Sequence, residues 1–161
     1  MSLDSRTIAT GIAALSVTSP TTGKKIVIKD IDGIPQQVQA RDCPIMFPHP
    51  NNWMQGGNGG TGNTEGADTF GAASKRYWMF ARTYQYVYLH AMAGTDRGIY
   101  VHYKPAGANL DAIQTALTTL DLASVDVLSM TALNFGLIED PVSGQFYGCI
   151  IDVKLMERLN P

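Results

Sequence analysis

The stretch YWMFARTYQYVYLHAMA, residues 77–93, alternates for so long that the chain must be organised around an extended β-strand. Successive strand side chains point to opposite sides. That puts Trp78, Phe80, Arg82, Tyr84, Tyr86 and Tyr88 on one face and Met79, Ala81, Thr83, Val87 and Leu89 on the other. Neither face is polar enough to be left in water, so both are to be covered. One face can pack on a helix. The other carries amphipathic Tyr and Trp rings, suited to a subunit contact or to a half-buried layer. Such a stripe can also stack nucleic-acid bases, but no basic runs flank it to hold the phosphates.

The rest of the chain supplies partners for this strand. Asp4 or Ser5 caps a short amphipathic helix on which Ile8, Ile12 and Leu15 recur, weakened by Gly11 and stopped by Pro20. After the turn SPTTG, the run KKIVIKDID sets Ile26 and Ile28 against Val27, and with the extended residues 36–39 it suggests a hairpin around Asp32-Gly33. Pro44, Pro48 and Pro50 punctuate CPIMFPHP; a proline cannot donate to a ladder, so a strand here is short or lies at an edge. The turn GTDRG leads back into IYVHY as the second arm of a hairpin. Beyond Pro105, NLDAIQTALTTLDL places Leu110, Ile113, Leu117 and Leu120 at helical spacing, with Asn109 as cap and Asp111 near the positive end of the dipole. The segments VDVLSMTALNFGLIED and QFYGCIIDVKLMER, joined through DPVSG, form a closing hairpin. Its second arm turns Tyr147, Cys149, Ile151, Val153 and Leu155 to one apolar face. With 161 residues there is room for one domain, and the expected fold is α+β: a mainly antiparallel or mixed sheet packed against one or two helices.

Residues 51–74 stand apart, rich in Gly, Asn and Thr and without periodicity, and are read as a long loop leaving the sheet. Within it Gly57, Gly59 and Gly62 satisfy G-x-G-x-x-G. A phosphate cradle needs those glycines between a strand and a capped helix start, whereas PHPNNWMQ precedes them and NTEGADTFG follows. The glycines are therefore read as backbone freedom. Together with Trp53, Trp78, Phe80, Tyr84, Tyr86 and Tyr88, the residues Gly57, Gly59 and Gly62 are the candidates for contact with a protein partner.

Reactive chemistry finds no support. His49, His90 and His102 are scattered, and even if His90 and His102 approach across a hairpin, two nitrogens make a poor metal site. Asp30-Ile31-Asp32-Gly33 lacks the later ligands of a calcium loop and reads as a turn, and Glu139-Asp140 before Pro141 is turn chemistry as well. Cys43 and Cys149 are expected as free thiols, which points to folding in a reducing compartment. No nucleophile elbow or P-loop is present, so no catalytic residue, metal or cofactor is expected. A net charge of −2, without long Lys/Arg runs, argues against a grip on nucleic acid. The start of the chain lacks the features of a signal peptide, and no run reaches the roughly 18 apolar residues that span a bilayer, so a soluble protein is expected.

The layout resembles that of the tail terminator (tail completion) proteins of long-tailed bacteriophages. The resemblance covers an N-terminal helix, the strand CPIMFPHP, a polar insertion ending in DTFG, the strand RYWMFARTYQYVYLHA, the helix NLDAIQTALTTLDL and the closing hairpin. It implies a non-enzymatic virion protein, assembled in the host cytoplasm, whose copies form a six-fold ring at the head-proximal end of the tail tube. The implied partners are other copies of the chain, the tube protein and a neck or connector protein, with DNA passing through the channel unheld. Head-closure and other minor neck proteins share this size and plain chemistry. A reading of another class, a small-ligand module closed by the Gly-rich loop, predicts ordering on ligand addition.

Overall fold

A computed structural model describes residues 5–51, 53–55, 69–70, 77–94, 98–140 and 142–159; for 54–55, 69–70, 77–81 and 158–159 it gives backbone pairing only. The chain order is α1 (Ser5–Ala13), β1 (Val17–Thr18), β2 (Lys25–Ile28), β3 (Ile45–Pro48), β4 (Met54–Gln55), β5 (Thr69–Phe70), β6 (Tyr77–Met92), α2 (Tyr100–Leu117), β7 (Val125–Asp140) and β8 (Gly144–Leu159). One mixed sheet holds every strand in the order β1-β2-β3-β6-β8-β7, with β4 and β5 also pairing with β6. All pairs are antiparallel except β2 with β3. The α+β class expected from the sequence is the class observed.

The alternation of β6 sorts its residues as the pleat demands, and the two faces bury different clusters. On one face Tyr84, Tyr86 and Tyr88 join Ile26 and Ile28 of β2, Met46 of β3 and Cys149, Ile151, Val153 and Leu155 of β8. Ile8 and Ile12 of α1 and Ala106, Ile113 and Leu117 of α2 close over them. On the other face Ile45, Phe47, Val87, Leu89 and Phe146 cluster beneath the segment between β2 and β3, through Val38. A hydrogen bond from the Val38 amide to Ser143 Oγ, 2.8 Å, ties that cover to the β7–β8 turn. Full burial of one large apolar side chain contributes about 1.5–3 kcal/mol. The helix face, with the longer row of buried side chains, therefore dominates the stability.

Several expected elements are rearranged. No hairpin forms around Asp32-Gly33. Instead β2 pairs antiparallel with β1 and parallel with β3, and Asp30 Oδ1 accepts from the Gly33 amide at 2.8 Å to close a local turn. Residues 36–39 are not a strand. β3 is short, as its prolines require, yet it lies inside the sheet between β2 and β6. It tolerates this because Pro48 is its last residue and pairs only with Tyr86 of β6. The loop expected over 51–74 is anchored at two places, Met54–Gln55 against Tyr84–Thr83 and Thr69–Phe70 against Trp78–Tyr77.

The largest difference concerns IYVHY, which is helix and not strand: α2 runs through Pro105 from Tyr100 to Leu117. Aromatic and β-branched residues favour strands only weakly; the helix anchored by the buried stripe Ala106, Asn109, Ile113 and Leu117 extends back through them, where His102 packs on Tyr147 and Tyr103 on Phe135. Asn109 therefore caps nothing. It lies mid-helix, 2% exposed. The closing hairpin forms as expected, with Gly144 at φ +101° in the turn. The expected cap Asp4, the turn residue Pro141 and most of GTDRG lie outside the described residues.

Candidate functional site

The candidate contact residues separate into three groups. Tyr84, Tyr86 and Tyr88 belong to the interior of this chain, fully buried beneath the helices, so none of the three rings offers a surface to a partner. Trp53 is packed onto them, its ring 4.7 Å from Tyr84 and 4.8 Å, edge to face, from Tyr86. The sequence signal was genuine, since these aromatics do share a face, but α1 and α2 cover that face from within the same subunit. Trp78 and Phe80 sit on β6 opposite Leu159 and Glu157 of β8, and their side chains lie outside the described residues, as do Gly57, Gly59 and Gly62 altogether.

Polar contacts sit at the border of the core, among them Gln85 Nε2 donating to Asp152 Oδ1 at 3.0 Å. Arg82 Nε approaches Glu157 Oε2 at 3.6 Å, with Glu157 almost wholly buried. Further along β6, Asn109 Nδ2 donates to Tyr88 Oη at 3.0 Å, and the Tyr88 hydroxyl lies 3.0 Å from His90 Nδ1. If Tyr88 accepts from Asn109, its own proton is assigned to His90 Nδ1, which makes that imidazole neutral. Desolvation, and then the charge of His102 beside it, pushes the His90 pKa down to about 4. His90 and His102 do meet, with ring centroids 5.3 Å apart, although helix packing and not a hairpin brings them together. His102 also stacks on Tyr147 at 4.8 Å.

Among the described residues no group of three or more His, Cys, Asp or Glu side chains is placed to hold a metal ion. Cys43 and Cys149 are both free, and burial pushes each thiol up to about 12, which leaves neither as a thiolate at neutral pH. No described helix is long and apolar enough to cross a membrane.

What the fold leaves exposed lies elsewhere, in residues the alternation of β6 could not reveal. β7 ends the sheet, and no described strand pairs with its outer edge along sixteen residues. Leu128, Leu133 and Leu137 on it are exposed, Leu137 at 61%, and Val142 stands out at the hairpin turn. At the start of α2, Tyr100 is 82% exposed, and Tyr103 beside it lies 5.4 Å from Phe135 of β7. An apolar margin thus runs from α2 onto an open strand edge. The opposite margin differs: a groove of about 470 Å³ is lined by Lys24, Lys25, Lys29 and Arg41 over Val27 and Ile45. Comparison with known proteins gives no assignment, because no protein-family model matches the chain and no curated protein matches it.

Proposed function

We propose that this chain is a structural subunit of a phage tail, of the tail terminator type, which works by closing into a ring with copies of itself and has no catalytic residue. One observation carries the reading: a sixteen-residue edge strand, β7, presents Leu128, Leu133 and Leu137 to solvent. Natural sheets normally shorten, charge or cover such an edge, because unpaired amides and carbonyls beside apolar side chains recruit another chain. The exposed rings of Tyr100 and Tyr103 extend the same margin. In this reading the tube protein and a neck or connector protein contact the two flat ends of the ring. DNA passes through without being held, consistent with a net charge of −2. A head-closure protein of the neck is the second position that suits a chain of this small size and plain chemistry.

Light scattering coupled to size exclusion, followed by negative-stain imaging, tests the proposal. Closed rings are expected from the chain alone or with its tube protein. A monomer under both conditions, at every concentration tried, would overturn it.

A further inference from the structure

We infer that the copies meet head to tail, the acidic β7 corner of one seating against the lysine-lined β1–β2 corner of the next. This rests on the self-assembly proposed above and adds the surfaces that touch.

The sheet has two unlike edges. Residues 17–29, which span β1 and β2, carry Lys24, Lys25 and Lys29 and no carboxylate, while β7 carries Asp126, Glu139 and Asp140 and no cation. Strand order puts these segments at opposite sides of the sheet. The registers then fix their heights. Val27 pairs with Ile45, Ile45 with Leu89, Leu89 with Gly148, and Gly148 with Gly136, which makes one row across the sheet. β7 runs opposite to β2, so a step back from Val27 is level with a step forward from Gly136. A bulge between Leu89 and Ala91 adds about one residue just past this row, so Lys24 and Lys25 stand near the level of residues 137–139. A neighbouring copy turned to meet this edge therefore brings Glu139 near Lys24 and Lys25 with little sliding along the strands.

The surroundings agree in sign and shape. The groove beside Lys24 and Lys25 also contains Lys29 and Arg41, and its one lining carboxylate, Asp42, already accepts from the Gln39 amide at 2.8 Å. Nearby, Asp30 accepts from the Gly33 amide, which leaves its charge in place, and Asp32 is paired with Arg6 at 3.2 Å; the cations Lys24, Lys25, Lys29 and Arg41 still outnumber Asp30 and Asp42 and set the sign of the corner. On the other corner Asp140 accepts from the Val142 amide at 3.1 Å, which fixes the turn, while Glu139, Leu137 and Val142 are exposed. Because β1 has only two residues, side chains and not a backbone ladder form most of the contact. A two-fold pairing of β7 with β7 would set carboxylate against carboxylate. A head-to-tail contact sets opposite charges together and closes a ring when the rotation per copy allows.

Charge reversal tests this on the full chain. Glu139→Lys breaks only the acidic corner, and Lys24→Glu with Lys25→Glu breaks only the basic one; all three positions are exposed, so thermal melting should match the parent. In sedimentation velocity at low salt, each variant alone should associate at least about tenfold more weakly, from like charges set together. An equimolar mixture of the two, or all three changes in one chain, should recover assembly. If the parent forms rings and the variants form them equally well, the assignment of edges is wrong while the ring reading stands. A parent that never associates removes the ring reading and this inference together.

Discussion

Gly148 of β8 and Gly107 of α2 show how different the demands on one residue type are. A Cβ on Gly148 would collide with the backbone carbonyl oxygen of Tyr88 and come within 3.2 Å of Leu89 Cα, atoms of the neighbouring strand that cannot rotate away. Gly148→Ala is expected to lower unfolding free energy in urea by on the order of 3 kcal/mol or more, because two central strands must part. Gly107, with nothing within 4 Å of its would-be Cβ, should behave oppositely. Gly107→Ala should raise stability by roughly 0.5–1 kcal/mol through helix propensity. His90 sets a pH dependence. Its pKa in the folded chain, about 4, lies below the unfolded value near 6.5, so between those values the unfolded chain binds more protons. Stability should therefore fall as pH drops from about 6.5 to about 4 and level off below that. His49, also lowered by burial, adds to the same slope. Urea titrations across this range should show a shallower slope for His90→Asn, which keeps an acceptor for Tyr88 but does not titrate.

At the level of elements, α2 is the instructive case. Pro105 is its sixth residue, where the missing amide leaves the carbonyl four residues earlier without its helical donor. The helix persists because the buried stripe Ala106, Asn109, Ile113 and Leu117 anchors it after the proline, while before it His102 packs on Tyr147 and Tyr103 on Phe135. Pro105→Ala should restore that hydrogen bond and raise the melting temperature, with a gain of about 1–3 kcal/mol in unfolding free energy. No change, or a loss, would mean that the ring of Pro105 itself is needed for packing. The closing hairpin and β6 were legible in the sequence because period-two alternation persisted over whole strands. IYVHY was not, because five residues hold too little pattern to separate a strand from the first turns of a helix.

For the whole molecule, the asymmetry of the sheet is the property that matters. Its lysine-bearing and carboxylate-bearing edges make any association between copies sensitive to ionic strength, since exposed charges are screened over about 10 Å at 0.1 M salt and about 3 Å at 1 M. The rings proposed for the parent chain should loosen between these concentrations if charge steers the contact. They should not dissolve completely if Leu137 and Val142 contribute apolar area. Sedimentation at both salt concentrations reads this directly.

Local pattern was enough for the α+β class, the long central strand and the terminal hairpin, because strand periodicity and turn chemistry are short-range properties of the chain. Which aromatic rings are covered, and by what, was not written in any window of residues. Tyr84, Tyr86 and Tyr88 read as a contact surface until α1 and α2 close over them from elsewhere in the chain. The exposed edge was equally hidden: β7 has the same length and alternation whether it lies inside the sheet or at its margin, and only long-range pairing, with β8 on one side and no described strand on the other, makes it an edge.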